Sequence, residues 1–188
     1  MELATERLLL RPVNDEDVET IVRLAGDPLV AEMTSSVPHP LSAAAVGDWI
    51  KTLSARGEQA FAILLKVPLS RIDSGLIGVI GLTPVADSAK AEVGFWLGAD
   101  FWGQGYMTEA LRRVLRYAFG DRKFVSVAAN AFVENARSVG VLVKSGFDVD
   151  GRAYRPAPAR GGDREMLQFK ATRASFAHAV LSQAVGRS

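Results

Sequence analysis

The sequence predicts one α/β (α+β) domain with a mixed, largely antiparallel twisted sheet flanked by helices. Strand-like apolar runs alternate along the chain with apolar stripes at helical spacing. Three of the strand-like runs, residues 59–67, 76–83 and 90–98, follow one another through short connections, which is typical of an antiparallel meander. A length of 188 residues fits a single domain with a sizeable core.

The first half of the chain predicts a strand and two helices before the meander. The strand covers residues 7–13, and the polar run 14–17 after it suits a helix N-terminus. Apolar side chains at helical spacing then predict a helix that ends at Asp27-Pro28. Ser42 is a candidate cap for a second helix with apolar positions at Val46, Trp49, Ile50 and Leu53. A turn over residues 68–75 joins the first two meander strands.

The second half predicts a helix, a strand, a helix and two strands, over residues 110–119, 124–129, 135–145, 147–149 and 165–170. Gly146 is the expected left-handed residue after a helix end. A loop over residues 156–162 separates the last two strands, and residues 174–185 suit a terminal helix. We therefore expect a domain over residues 1–172 and a C-terminal helical tail over residues 173–188.

Composition excludes several classes of function. Net charge is +1, which leaves no electrostatic footprint for a nucleic-acid partner. The chain has no cysteine, so disulfides, thiolate metal sites and a cysteine nucleophile are absent, and its two histidines, His39 and His178, lie far apart, so no metal is expected. No run approaches the length of a membrane span and the N-terminus does not resemble a signal peptide, so we expect no membrane partner and a cytoplasmic location.

The run Trp102-Gly-Gln-Gly-Tyr-Met-Thr-Glu109 stands between a predicted strand and a predicted helix. Two glycines around one residue let the backbone approach a bulky group, and the start of a helix favours an anion. The run therefore predicts a phosphate cradle, although a tight turn without a ligand would use the same residues. Thr108 replaces the third glycine of a dinucleotide fingerprint, and no Gly-Lys-Ser/Thr run of a P-loop is present.

Four motifs carry a resemblance to one family. Phe101 to Ala110 resembles the acetyl-CoA pyrophosphate loop of the GNAT acyltransferase superfamily, in the branch that contains ribosomal-protein N-terminal acetyltransferases. Asn135 to Phe147 resembles the Asn-x-x-Ser…Lys-x-Gly-Phe helix of that branch, Thr5 to Pro12 its first strand, and Ala91 to Leu97 its central strand. The matches occur in the family's order and cover roughly residues 5 to 170, nearly the whole chain.

The resemblance implies a fold, a cosubstrate and a set of binding residues. The fold is the GNAT fold, in which two central strands splay apart to admit the pantetheine arm of acetyl-CoA. Backbone N–H groups would bind the pyrophosphate at Gln104, Gly105, Tyr106, Met107 and Thr108. Asn135 would touch the pantetheine and Ser138 would lie near the sulfur, although Asn135 is also an ordinary helix cap.

Acyl transfer to an amine needs a base, an oxyanion donor and, in some enzymes, an acid. Glu92 is the candidate base, directly or through water, with a solvent-exposed or ion-paired carboxylate as the alternative interpretation. The oxyanion donor would be a backbone N–H among Phe95, Trp96 and Leu97, with the Trp96 side chain as a wall. Leu142 occupies the position of the tyrosine acid of many superfamily members, so Ser138, Tyr154 or water would have to substitute.

The sequence therefore predicts an acetyl-CoA-dependent N-acetyltransferase that transfers an acetyl group directly to a primary amine, on a protein N-terminus or a small molecule. The alternative is a non-catalytic acyl-CoA-binding regulatory module, which the missing tyrosine keeps open. Partners are acetyl-CoA and an amine acceptor, and the protein is a monomer or a homodimer. Candidates for the acceptor pocket, or for plain packing and surface positions, are Met33, His39, Trp49 and Tyr154.

Overall fold

The structure, a computed structural model, describes residues 1–55, 57–67 and 75–185 and contains one eight-stranded sheet in the order β1-β2-β3-β4-β5-β6-β8-β7. The strands are β1 (Leu3–Ala4), β2 (Leu8–Pro12), β3 (Gln59–Leu65), β4 (Leu76–Pro84), β5 (Lys90–Leu97), β6 (Ser126–Phe132), β7 (Asp148–Ala157) and β8 (Gly162–Thr172). Among these strands every neighbouring pair is antiparallel except β5 and β6. The predicted fold class is confirmed, with β3, β4 and β5 as the expected meander.

Six α-helices flank the sheet within the described residues: α1 (Val18–Ala25), α2 (Pro28–Ala31), α3 (Ala43–Ala55), α4 (Tyr106–Gly120), α5 (Ala136–Lys144) and α6 (Arg173–Val185). The predicted stripe of α4 is confirmed, because Leu111, Val114, Leu115 and Ala118 are fully buried. In the described part of the chain, no helix combines the length and the apolar character that a membrane crossing requires.

The structure corrects the predicted elements at α2, at the start of α4 and at the last hairpin. The short helix α2 was not predicted; Asp27 caps it by accepting a hydrogen bond from the Leu29 N–H at 2.8 Å, and Pro28 takes its first turn. Helix α4 begins at Tyr106 rather than at residue 110, directly after the left-handed Gly105. The predicted turn over residues 68–75 lies, except for Gly75, outside the described residues.

The hairpin of β7 and β8 is much longer than the predicted strands 147–149 and 165–170, and its strands include residues 156, 157 and 162 of the predicted loop 156–162. The extra length consists of exposed pairs such as Tyr154 opposite Glu165 and Arg155 opposite Arg164. These pairs have no apolar alternation, because this part of the hairpin lies outside the main core. Its one buried residue, Ala157, belongs to a small separate cluster with Phe132 and Met166. Period-two hydrophobicity therefore could not indicate it.

The two central strands separate, as the resemblance implied. The parallel ladder joins Lys90, Ala91 and Glu92 of β5 to Ser126, Val127 and Ala128 of β6. Beyond that point β5 continues to Leu97 and β6 to Phe132, but the two strands no longer pair. The sheet consequently opens into a wedge whose closed end is the pair of Glu92 and Ala128.

Helix α6 is held against the body of the domain. Phe176 is a core side chain and stacks on Phe119 with 5.9 Å between ring centroids. Gly146 has a φ of +91°, as predicted after a helix end, and a Cβ there would lie 2.9 Å from the Phe176 Cα atom. The division into a domain over residues 1–172 and a tail over residues 173–188 stays a prediction, and residues 186–188 lie outside the described residues.

The chain between β1 and β2 is clamped to the start of α4. The Glu109 carboxylate accepts hydrogen bonds from the Thr5 hydroxyl at 2.6 Å, from the Arg7 backbone N–H at 2.9 Å and from Arg7 Nε at 2.7 Å. The Arg7 guanidinium also donates to the Gln104 carbonyl at 3.0 Å and lies 4.5 Å above the Tyr106 ring. One carboxylate and one guanidinium thus join the first strands to the turn that opens α4.

The clamp shifts the ionisation of Glu109. Burial disfavours the charged carboxylate, but the hydrogen bonds from Thr5 and Arg7, together with the Arg7 charge, outweigh burial and hold the pKa of Glu109 below its ordinary value. A depressed folded-state pKa means that the stabilisation is complete above the unfolded-state pKa. It is lost as the pH falls through the folded-state pKa.

We expect Glu109→Gln to lower the free energy of unfolding at pH 7 by about 1–3 kcal/mol, because the carboxamide keeps one acceptor but loses the charge. Urea unfolding between pH 7 and about pH 3 should show that the wild-type advantage shrinks on the acid side. Glu19→Gln, at an exposed position of α1, is the matched control and should leave the profile close to wild type. An unchanged acid limb for Glu109→Gln would contradict this account.

Candidate active site

The turn that opens α4 presents a row of unsatisfied N–H groups. Gly103 and Gly105 have φ values of +76° and +80°, a conformation that favours glycine. Within the described chain, the backbone N–H groups of residues 103–108 donate to no acceptor, and Glu109 is the first residue whose N–H makes a helical bond, to the Gly105 carbonyl at 3.1 Å. Free N–H groups at the positive end of a helix form an anion site, so the structure supplies the cradle that the sequence predicts.

The clamp positions this cradle. The Gln104 carbonyl is bonded to Arg7, and the Gln104 side chain donates to the Asp100 carbonyl at 3.0 Å. These two bonds fix the orientation of Gln104 and leave its backbone N–H, the group predicted to bind, without an acceptor among the described residues. Gln104 does not line the cavity in front of the cradle, whereas Gly105, Tyr106, Met107 and Thr108 do.

A first cavity of about 340 Å³ lies between the cradle, the splayed end of β5 and α5. Its described lining includes two cations, Arg137 and Lys144, and no carboxylate. Arg137 lies over the Trp102 ring at 4.7 Å from the centroid, so its guanidinium is oriented beside the cradle. This end of the site suits a polyanion.

Strand β5 presents unpaired backbone groups to the gap between β5 and β6. The Gly98 N–H donates to the Ile77 carbonyl of β4 at 2.9 Å, so the backbone groups of Leu97 point the opposite way, toward the gap. The Leu97 carbonyl accordingly accepts a hydrogen bond from Trp102 Nε1 at 2.9 Å. Because orientation alternates along a strand, the N–H groups of Phe95 and Leu97 both face the gap.

A second cavity of about 650 Å³ lies on the other side of the wedge, under α1, α3 and the loop over residues 32–42. Most of its walls are apolar, from side chains such as Ile21, Leu41 and Trp49. Its described lining includes two carboxylates, Glu58 and Glu92, and no lysine, arginine or histidine. This half of the site therefore has the opposite charge preference from the first cavity.

The two cavities meet at the open end of the wedge, where both are lined by Met33, Thr34, Phe95, Trp96, Asn135 and Ser138. The Asn135 side chain is 8% exposed; its oxygen accepts from the Ser138 N–H at 3.0 Å as a helix cap, and its amide donates to the Met33 carbonyl at 3.4 Å. The helix-cap role of Asn135 and its predicted contact with the pantetheine are therefore compatible, because the residue that caps α5 also lines the junction. The Ser138 hydroxyl has no hydrogen-bond partner among the described residues.

Glu92 lies at the closed end of the wedge. Its carboxylate accepts a hydrogen bond from the Asn130 amide at 2.9 Å, and it lines the second cavity but not the first. Three residues of extended strand separate Glu92 from Phe95, which is about 10 Å at the usual rise per residue. That distance exceeds the reach of a glutamate side chain, so Glu92 can reach the junction only through water.

The other candidates divide between the cavities and the rest of the protein. Phe95, Trp96 and Leu97 all line the first cavity. Met33 and Trp49 line the second, as the acceptor interpretation required. Leu142 is 1% exposed and belongs to the core, while His39 and Tyr154 line neither cavity.

Sequence reasoning missed four basic residues in and around the site. Arg7 is within the quoted motif Thr5 to Pro12, but its pairing with Glu109 spans 102 positions and has no local signal. A local signal did exist for Arg137 and Lys144, because residues 137, 140, 141 and 144 fall on one face of a helix. All four residues line the first cavity. Arg160, at the tip of the last hairpin, donates to the carbonyls of Ala31, Thr34 and Val37 and so holds the loop above the second cavity.

Comparisons with known proteins agree with this geometry. The acetyltransferase (GNAT) domain model matches residues 7–148, a span that includes the clamp, the cradle and α5. The chain is 29% identical over 164 residues to the uncharacterized N-acetyltransferase p20 of Bacillus licheniformis, covering 84% of this chain and 89% of that protein. It is 37% identical over 98 residues, 52% of this chain and 54% of the relative, to YdaF of Bacillus subtilis (strain 168), provisionally named a ribosomal N-acetyltransferase.

Solved structures share the fold. RimJ of Mycobacterium smegmatis in complex with CoA-disulfide superposes with a TM-score of 0.78 at 21% identity, over 94% of this chain and 89% of that chain. A ribosomal-protein-S5-alanine acetyltransferase of Vibrio fischeri gives a TM-score of 0.77 at 16% identity, over 94% and 98%. The chain is an acyltransferase and belongs to the GNAT acetyltransferase family, within which it resembles the branch of ribosomal-protein N-terminal acetyltransferases.

Proposed function

We propose that this acyltransferase moves an acetyl group from acetyl-CoA directly to a primary amine, on a protein N-terminus or a small molecule. The observation that carries the proposal is the division of charge between two cavities that meet at the splayed strands. The first cavity combines cations with free N–H groups, and the second combines carboxylates with apolar walls. The first cavity therefore complements a polyanionic acyl carrier, and the second complements a cationic acceptor.

The first cavity fits CoA. Its cradle of free N–H groups would hold the pyrophosphate, since backbone donors at a helix N-terminus suit phosphate oxygens. Arg137 and Lys144 add positive charge on the α5 side. The first cavity is lined by β5 and α5 residues as far as Asn135 and Ser138 at the junction, which would give the pantetheine arm a path to the second cavity.

Acetyl-CoA supplies an acetyl thioester, and the splayed strand supplies the groups around it. The N–H groups of Phe95 and Leu97 face the gap, in position to donate to the thioester oxygen as charge develops on it. The Ser138 hydroxyl, without a partner among the described residues, is available beside the departing sulfur. Leu142 contributes no acid, because its side chain is aliphatic, and it packs in the core.

The acceptor must lose a proton before it can attack. Glu92, oriented by Asn130, would take that proton through water across the strand length that separates it from the junction. A non-catalytic acyl-CoA-binding module would need only the first cavity. The open second cavity at the acyl end, together with the membership in an acetyltransferase family, favours catalysis over that alternative.

Acetyl-CoA and CoA should raise the melting temperature, because a ligand that binds only the native state stabilises it, whereas NAD and ATP at equal concentration should do so far less.

Gly105→Val should weaken CoA binding by about tenfold or more, since the branched side chain strains a residue at φ +80° and disturbs the cradle. Gly161→Val carries comparable backbone strain at φ +78° away from both cavities and is the control. Equal losses of CoA affinity in the two variants would refute the cradle.

Glu92→Gln should lower kcat by about 10²–10⁴-fold and leave CoA affinity nearly unchanged, because the carboxamide keeps the contact with Asn130 but cannot accept a proton. Glu134→Gln, an exposed glutamate that lines neither cavity, is the control. A loss of only a few-fold with an unmoved pH profile would assign the base role to another group.

Kinetics should show a ternary complex without an acyl-enzyme. The chain has no cysteine, and the Ser–His contact that the structure describes, between Ser182 and His178 on α6, lies outside both cavities. Intact-protein mass spectrometry after mixing with acetyl-CoA, without acceptor, should show no stoichiometric acetyl adduct. A rapidly formed adduct that an added amine discharges would overturn direct transfer.

A further inference from the structure

Two glycines face each other in the floor of the second cavity. Gly81 of β4 and Gly94 of β5 are partners in the antiparallel register, between the pairs Thr83–Glu92 and Val79–Trp96. Both glycines and both flanking pairs line the cavity. The floor therefore has a hollow two residues wide, in the middle of the sheet, where neither strand provides a side chain.

Packing does not require glycine at these two positions. A Cβ atom on Gly78, in the same strand β4, would lie 2.3 Å from the Trp96 carbonyl oxygen, so close packing accounts for that glycine. A Cβ on Gly94 would meet nothing within 4 Å, and one on Gly81 would make only an ordinary contact, 3.6 Å from Glu58 Oε1. Glycine inside a strand lowers its stability and commonly marks a place where a ligand approaches the backbone.

A carboxylate without a partner stands beside this hollow. Glu58 is half-buried, and its carboxylate forms no hydrogen bond or ion pair with the described residues. Glu92 lies on the opposite side of the hollow, two strands away, roughly 10 Å at the usual strand spacing. With no lysine, arginine or histidine in the described lining, both charges act on whatever occupies the floor.

We infer that the acceptor seats its amine-bearing end on the hollow of Gly81 and Gly94, and that the acceptor class is an amine without a neighbouring carboxylate, such as a peptide N-terminus or an amide-blocked amine, rather than a free amino acid. This inference rests on the proposed function. An α-carboxylate on the acceptor would lie in an apolar cavity between Glu58 and Glu92 with no described cation to balance it. A neutral amide at the same place meets no such repulsion.

Leucinamide and leucine test the charge preference, because they share size and shape and differ by one carboxylate; since that carboxylate also raises the pKa of the neighbouring amine, kcat/KM is calculated for the free-base fraction of each acceptor. We expect kcat/KM for leucinamide to exceed that for leucine by about 100-fold, on the order expected for like charges at this separation in a partly desolvated site. Glu58→Gln should reduce that ratio to roughly a third or less while the melting temperature shift produced by CoA stays unchanged. A ratio near one in the wild type, or a ratio that Glu58→Gln leaves unmoved, would overturn the inference.

Variants at Gly94 test the seat. Gly94→Ala should lower kcat/KM for leucinamide several-fold and Gly94→Val by at least about tenfold, while CoA affinity stays within about twofold of wild type. Both variants should fold, because the site is open and valine favours a strand. Gly47→Ala on α3, where a Cβ also meets nothing within 4 Å and which does not line the cavity, is the control and should leave both quantities unchanged.

Failure of this inference is distinguishable from failure of the proposed function. If CoA does not bind, the proposed function falls. If CoA binds but calorimetry on the CoA-saturated protein shows no binding of leucinamide, and no acetylation follows, the inference falls alone. If leucinamide is acetylated equally well by wild type and Gly94→Val, the acceptor is seated elsewhere and the inference is again wrong.

Discussion

The separation of β5 from β6 is the constraint on which the rest of the site depends. A fully paired sheet would satisfy the backbone groups of Phe95 and Leu97 and would leave no passage between the two cavities. Instead the ladder stops at Glu92 and Ala128, and Trp102 supplies one replacement hydrogen bond, to the Leu97 carbonyl. The remaining groups are left for a ligand. The opening of the sheet therefore removes backbone hydrogen bonds between β5 and β6. Packing in the surrounding core, from α4 on one side to α1 on the other, has to offset the stability that is lost.

Two guanidinium–carboxylate pairs hold the segments that surround the wedge in place. The turn before α4 is one unit with the chain between β1 and β2 because Glu109 and Arg7 share a guanidinium–carboxylate pair. A second such pair, Arg11 with Asp17 at 2.7 Å, fixes the entry to α1, and the hydrogen bond that Arg11 donates to Asp17 is the largest of the effects that raise the pKa of Arg11. The walls of both cavities therefore rest on charged pairs, of which Asp17 is buried and the other members are partly exposed, as well as on apolar packing.

Patterns that are local in sequence predicted most of the fold. Hydrophobic periodicity indicated the meander and the long helices, and Gly103 and Gly105 indicated the cradle through their own backbone chemistry. The exposed hairpin of β7 and β8 escaped prediction because periodicity reports burial, and this hairpin has little. Arg7 and Glu58 escaped for a different reason: the role of each depends on a partner or a cavity formed by distant segments. The resemblance to a family supplied the splay of the strands, which no local pattern contains.

Arg160 has a consequence for the thermodynamics of acceptor binding. Its guanidinium donates to the last carbonyl of α2 and to two carbonyls of the loop above the second cavity, and the Ala159 N–H donates to the Ser35 carbonyl at 3.4 Å. A roof that is already held by hydrogen bonds in the free protein loses little conformational entropy when an acceptor enters. A small amine, which gains little contact area, can then be bound without the additional cost of ordering a loop. By ordering the loop in advance, the hairpin tip thus allows the second cavity to bind ligands much smaller than a folded protein.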